Sequence, residues 1–417
     1  MDSAVKPRAE KLKILIMSAP IGSGHQMAAN ALEESLTRLE NVEVVQGNVF
    51  SFFPSFLGKL FLRSYEKILR ICPGLYAMSY RWGNRNSGSL WMRNGINSLL
   101  LRLGRSFIER VRPDVVYSTH ATPTGIFSLY KEKYDPGLWL GVVVTDFTVH
   151  RWLICNGVDA YFLADERLRG QIVAGASGAA DKDRSDREKD GLLPNENGSE
   201  NGLITDSPAC YAFGIPVRSA FCQHRDVAAA HRDLRKRFGW PKDAFVCLLV
   251  GGGGGMLPME AILRELRRET TGNIYFVAVA GHNADLRKKL EAQAGGADSH
   301  LKVFGFTKEL SQLMTGSDLV ITKGGGVSLA ECLACGSDIA IYSPLPGQEQ
   351  ANTVFVQQAY GVKAANDTKR LAEILRQAAG LPYADRIQQQ NKRRSAFGRP
   401  EAAQRIAEFT QNLHLIM

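Results

Sequence analysis

Two glycine-bearing turns hold the residues best suited to chemistry. The first, Lys323-Gly324-Gly325-Gly326-Val327-Ser328-Leu329-Ala330-Glu331, follows the strand-like run Asp318 to Thr322. Glycines at a strand-to-helix turn let the backbone approach a phosphate, and the free N–H groups and dipole of the helix start favour its charge. Glu331, five residues past the last glycine, falls on the second helical turn, where a carboxylate can accept from two ribose hydroxyls. The second turn, Pro346-Gly347-Gln348-Glu349-Gln350-Ala351-Asn352, follows the run Asp338 to Tyr342 and offers amides and a carboxylate suited to sugar hydroxyls. Ligands of open α/β sheets bind outside the carboxyl ends of the strands, where both turns would lie. Together they read as a pocket for a nucleotide sugar.

Further candidates sit on other turns. Gly251 to Gly255, ahead of Met256-Leu257-Pro258, follows the buried-looking run Phe245 to Val250. Five consecutive glycines there serve close backbone approach or flexibility. In the N-terminal half, Gly22-Ser23-Gly24-His25 follows the first apolar run and places His25 at the mouth of a sheet. Imidazole titrates near neutrality and is matched to general-base work. Thr145-Asp146-Phe147-Thr148-Val149-His150-Arg151-Trp152 follows another strand, and Asp146 either orients His25 or is the base itself. Cys332 and Cys335 have CxxC spacing but fall within one helix with no second ligand pair, and Asp181-Lys182-Asp183 lies in a polar charge run. No metal site or other cofactor is expected.

The elements that must position these groups alternate. Strands are expected at Lys13–Ser18, Val42–Val45, Val115–Ser118, Gly141–Thr145, Phe245–Val250, Ile274–Val279, Lys302–Phe304, Leu319–Thr322 and Ile339–Tyr342. Helical periodicity marks Met27–Leu39, Ser98–Val111 and Pro400–Leu413. Strand–helix alternation implies parallel sheets with crossover helices. Residues 174–207 are rich in Gly, Ser, Asp, Lys, Asn and Glu without an aromatic, which reads as a solvated insertion.

Composition narrows the partners. At 417 residues the chain is long for one core, so two domains are expected. No apolar run reaches the roughly 20 residues of a membrane span, and the short run Ile14 to Ala19 is not read as a signal peptide. Seven scattered cysteines fit a reducing cytoplasm. The net charge of +9 is unevenly placed. Between Ser51 and Ser106 nine Lys and Arg, among them Lys59, Arg63 and Arg70, face one acid, Glu66. Large aromatics, including Phe52, Phe53 and Trp82, are interleaved with them. That mixture suits an anionic bilayer surface, the alternative being a helical core layer with a solvated basic face. No nucleic-acid motif accompanies the charge, so no nucleic-acid partner is expected.

The chain resembles glycosyltransferase family 28, in the branch of the monogalactosyldiacylglycerol synthases and processive diacylglycerol glucosyltransferases. The resemblance rests on the two C-terminal turns, on Gly22-Ser23-Gly24-His25 (where the family has Gly-Gly-Gly-His), and on the Thr145-Asp146…His150…Trp152 segment. It implies the GT-B architecture: α/β, with two Rossmann-like domains facing across a cleft. Residues 1–217 would form the acceptor and membrane domain, 218–399 the UDP-sugar domain, and 400–417 a helix returning to the first domain. Gly324, Gly325, Gly326, Glu331, Gln348 and Glu349, with Gln350 and Asn352, would contact the UDP-sugar. Gly252 and Gly253 would face the diphosphate in place of a metal, Phe306 and Thr307 the uracil, Gly22 and Gly24 the substrate, and His150 and Trp152 the acceptor or lipid headgroups. The implied activity is inverting transfer of glucose or galactose from a UDP-hexose to diacylglycerol, by a peripheral protein on the cytoplasmic face of the cell membrane. Alternatives are an N-acetylglucosaminyltransferase acting on a polyprenyl-linked acceptor, as in lipid II formation, and a non-catalytic UDP-sugar sensor.

Overall fold

The computed structural model describes residues 11–19, 23–52, 88–176, 208–223, 226–269, 272–294 and 300–414. They form two six-stranded sheets. The first holds β1 (Leu12–Ser18), β2 (Val42–Asn48), β3 (Val115–Ser118), β4 (Trp139–Val143), β5 (Ala160–Phe162) and β6 (Ala209–Tyr211), in the order β2-β1-β3-β4-β5-β6. The second holds β7 (Phe245–Val250), β8 (Ile274–Val279), β9 (Leu301–Phe304), β10 (Leu319–Thr322), β11 (Asp338–Tyr342) and β12 (Lys363–Ala365), in the order β12-β11-β10-β7-β8-β9. Every neighbouring pair is parallel.

Both sheets are covered on both faces, which is why their central strands are almost continuously apolar. In β1, Leu15 and Met17 enter one core while Ile14 and Ile16 enter another on the opposite face. In β7, Val246 and Leu248 separate from Cys247 and Leu249 in the same way. One of these cores runs on from the first sheet into the second, where Phe147 stacks on Phe355 at 5.8 Å between centroids.

Strand order fixes where a ligand can enter. In the first sheet the chain places β2 on one side of β1 and then returns to place β3 on the other. In the second it places β8 and β9 on one side of β7 and then β10 on the other. Such reversals leave a crevice outside the strand ends. The first helix and the segment after β3 flank one crevice, and the two glycine loops flank the other.

A buried charge cluster ties the second sheet to its helices. Asp318, at the start of β10, accepts from Arg235 and from the Val246 N–H (2.7 Å), and pairs with Arg386 at 2.8 Å. His231 beside it is pushed down to about 4 by burial, against the pull of Asp318.

The chain passes between the two sheets twice. The first passage is Val217-Arg218-Ser219, held to the first helix by hydrogen bonds from Ser219 to Glu34. The second runs from Gly398 to the helix Ala402–His414, which lies against the first sheet. Tyr117 and Thr410 share a 2.6 Å hydrogen bond there, and Phe409 packs on Trp139, Phe162 and Tyr211. The two passages touch: the Cys222 thiol lies 2.9 Å from the Pro400 carbonyl, and a Cβ on Gly214 would meet Arg399.

Candidate active site

His25 lies where the two crevices meet. The helix after β1 spans Ser23–Leu36, four residues earlier than its apolar periodicity suggests, so Gly24 and His25 stand in its first turn. His25 Nδ1 is 2.7 Å from the Thr119 carbonyl, just past β3, and 2.8 Å from the Thr145 hydroxyl. A carbonyl only accepts, so the ring hydrogen belongs on Nδ1, and Nε2 of the neutral ring keeps its lone pair. Burial lowers the pKa of His25, opposed by the charge of Asp146 and by the Thr119 bond. The imidazole is therefore neutral at physiological pH and held in the tautomer that a base at Nε2 requires.

Asp146 is held by the second domain. Its Oδ1 accepts from Asn352 Nδ2 at 2.8 Å, its Oδ2 from the Gln348 amide, and the Gly326 N–H donates to the same carboxylate. Burial raises its pKa, while His25, Asn352, Gln348 and the Gly326 N–H pull the other way. Asn352 is wholly buried, its Oδ1 accepting from Phe147 N at 2.8 Å and its Nδ2 also donating to the Gly324 carbonyl at 3.0 Å. With its amide atoms so engaged, Asn352 fastens the domains rather than binding sugar, which corrects the sequence expectation. Gln348 joins the same clamp. Gln350 is exposed, and its N–H closes the turn onto the Leu345 carbonyl.

The two glycine loops differ in what surrounds them. A Cβ on Gly326 would lie 2.2 Å from the Thr145 carbonyl, and one on Gly324 2.4 Å from the Glu349 carbonyl. Gly325 alone of the three has open space around its Cα. In the Gly251–Gly255 loop, Gly252 is open and has φ +70°, while a Cβ on Gly253 would meet Ser23 of the first helix at 3.1 Å. That contact sets the loop directly against the first helix.

Three neighbours complete the second crevice. Glu331 is buried, and its Oε1 takes the Arg218 guanidinium at 2.8 Å, so a ribose contact would be made by a carboxylate already paired. Glu349 accepts from Leu345 N at 2.9 Å and pairs with Lys323 at 3.3 Å, bracing one turn against the other. Phe306 is exposed and stacks on His282 at 4.4 Å, beyond β9 and β8, and Thr307 caps the next turn by accepting from Glu309 N. Arg218 was given no role from sequence, and Lys323 and Thr145 were named only as members of their turns. No local pattern marks a partner on a different strand–helix unit.

On the other side of His25, His120 meets it edge-on at 4.8 Å. His120 Nδ1 accepts from Thr122 N, and burial first, then the charges of His25 and His150, hold it well below the usual imidazole range. His150 Nδ1 accepts from Trp152 N, and the Trp152 indole donates to Ser89 Oγ at 3.3 Å. The segment after β4 is thereby tied to the long helix Gly88–Val111. Phe52, expected at a membrane surface, is a core residue: it packs against Gly104 and its ring lies 5.7 Å from that of Phe107. Gly22, Phe53, Lys59, Arg63, Arg70 and Trp82 lie outside the described residues.

Comparisons with known proteins bear on the family and the fold. Residues 25–180 match the monogalactosyldiacylglycerol (MGDG) synthase model, and residues 245–406 the glycosyltransferase family 28 C-terminal domain. A processive diacylglycerol beta-glucosyltransferase of Bacillus subtilis is 25% identical over 87% of this chain and 85% of its own. Its counterpart in Bacillus mycoides is 25% identical over 95% and 92%. Among solved structures, MurG of Acinetobacter baumannii superposes with TM-score 0.59 at 12% identity, covering 96% of this chain and 99% of that one. A co-structure of S. aureus MnaA with UDP superposes with TM-score 0.55 at 12% identity, covering 97% and 98%. These likenesses show the GT-B fold. Carrying one family domain in each half, the chain belongs to glycosyltransferase family 28, in its branch of diacylglycerol glycolipid synthesis.

Proposed function

We propose that the protein transfers glucose or galactose from a UDP-hexose to diacylglycerol with inversion and without a metal ion, as a peripheral protein on the cytoplasmic face of the membrane. The observation that carries this reading is the fixed tautomer of His25 at the meeting point of both crevices. The acceptor hydroxyl oxygen attacks the anomeric carbon, its proton passes to His25 Nε2, and the bond to the diphosphate oxygen breaks. UDP leaves with the electron pair. N–H groups of the Gly251–Gly255 loop and of the Gly325–Gly326 helix start would meet the charge that develops there. Of the two groups, His25 is the better base, because Asp146 already accepts from three donors. Asp146 then stabilises the imidazolium through its charge. The MnaA co-structure with UDP and the names of the Bacillus relatives support the donor and acceptor classes.

The test is mass spectrometry of lipids after incubation with diacylglycerol vesicles, EDTA and either UDP-glucose or UDP-galactose. A diacylglycerol one hexose heavier is expected from one donor or both. Bound UDP without any product would sink the reading and favour a sensor. His25→Ala is expected to lower kcat by about 10²–10⁴ with UDP affinity little changed; equal loss of both would make the residue structural. Because burial lowers the pKa of His25, activity should hold through neutrality and fall only on the acid side of 6.5, as Nε2 becomes protonated. A loss of rate setting in above pH 7 on acidification would contradict that assignment.

A further inference from the structure

His25 and His120 touch, yet the backbone places their ring hydrogens on opposite nitrogens. His25 Nδ1 donates to the Thr119 carbonyl, which leaves Nε2 to accept. His120 is the N-cap of the helix Ala121–Lys133, and its Nδ1 accepts from Thr122 N at 3.1 Å. A nitrogen that accepts carries no hydrogen, so the hydrogen of the neutral ring is on Nε2. Burial, reinforced by the charges of His25 and His150, keeps that ring neutral. Both assignments are made by backbone groups and need no ligand. The rings meet edge-on, with centroids 4.8 Å and planes 85° apart, and each is only half-buried. Among the described residues no group accepts from Nε2 of His120.

We propose that the His120 Nε2–H reads an ester carbonyl of the lipid substrate while His25 Nε2 takes the proton of its hydroxyl. The inference deepens the diacylglycerol reading and rests on it. Side by side, the two rings offer one bare nitrogen and one N–H. A diacylglycerol presents the complement: a hydroxyl that donates and, a short glycerol span away, an ester carbonyl that only accepts. Charge narrows the class further. A ring held neutral offers its hydrogen without a positive charge, which suits an uncharged carbonyl oxygen. A phosphate-linked lipid is better met by an ionised donor, whose bond to an anion is roughly twice as strong. Arg93, which reaches this part of the molecule, instead turns its Nη1 to the carbonyls of Trp152 and Ile154 at 3.4 and 3.0 Å. The carbonyl contact would be present before the sugar moves and unchanged as it moves. It therefore belongs to binding, and its loss should appear in KM rather than in kcat.

Dioctanoylglycerol and dioctylglycerol ether, which differ in having or lacking the carbonyls, supply the probe. In the presence of UDP, titration followed by tryptophan emission should show the ester bound about fivefold more tightly, the effect of one neutral hydrogen bond. His120→Asn keeps an oxygen to cap Thr122 N, but its amide stops short of the Nε2 position. It should unfold at the wild-type temperature, bind the ether as wild type does, and bind the ester no better than the ether. His120→Ser, another capping residue, gives the same test if the asparagine variant does not fold. In turnover with the productive UDP-hexose, the same ratio should appear in KM, with kcat little changed. Equal affinity of wild type for ester and ether overturns the proposal. So does an ester preference that survives in both variants, which would assign the carbonyl to another group. If the preference depends on His120 and neither lipid is glycosylated, the contact stands and the transfer reading fails.

Discussion

The two glycine loops of the second sheet look alike as sequence and differ in the folded protein. At Gly324-Gly325-Gly326 two of the three glycines make room for protein: Gly326 admits the Thr145 carbonyl from the other domain, and Gly324 admits the Glu349 carbonyl from the adjoining helix. Only Gly325, with φ −72°, faces open space. The Gly251–Gly255 loop instead depends on backbone shape, with Gly252 and Gly255 at φ +70° and +60° and Gly252 unobstructed. One loop uses glycine to bring the domains together, and the other uses it to turn sharply beside the site. A glycine run in a sequence records that a Cβ is unwelcome, without recording what takes its place.

Substitution by alanine separates these causes. Gly326→Ala should have the largest effect, because 2.2 Å to a backbone carbonyl leaves no room for relief without parting the domain junction. A loss of about 3 kcal/mol in stability is expected at the severe end of overpacking. Turnover should fall by more than about 100-fold as Asp146 loses the Gly326 N–H and the misplaced site disengages. An unchanged melting temperature would break the comparison. Gly252→Ala should cost about 1–2 kcal/mol, the penalty of a left-handed backbone for an L-residue, with no steric component. If it matched Gly326→Ala, crowding rather than conformation would govern both loops. Gly325→Ala should be the mildest, about 0.5 kcal/mol for a weaker cap. It should nevertheless raise the donor KM several-fold while leaving kcat nearly unchanged, if the diphosphate occupies the open side of that helix start. An unaltered KM would remove Gly325 from the donor site and leave phosphate binding to the other loop.

Much of the scaffold was legible because burial imposes pattern. β3, β7, β8 and β10 follow their apolar runs residue for residue. β5, β6 and β12 have three residues each, too few for a period to declare itself, and none was anticipated. His25 was legible as a chemical type beside a turn. Its tautomer was not, since that depends on Thr119, 94 residues away, and Thr145, 120 residues away. Asn352 shows the limit most clearly. An amide in a polar turn suggests a sugar, but the atoms it serves lie 205 and 206 residues earlier, and hydrogen-bond partners at that separation leave no periodic trace. Phe52 failed for the opposite reason: aromatics between basic residues suit an interface as well as a core, and only Gly104 opposite it decides.

The paired passages between the sheets have a mechanical consequence. Two strands of chain that cross side by side, at Arg218 and at Pro400, act like adjacent pins on one side of a door. Sliding one sheet past the other would shear both at once, whereas rotation about the line they define strains neither. Such a rotation would instead have to part the far edge, where Asn352 and Gln348 hold Asp146, so the bonds to that one carboxylate act as its latch.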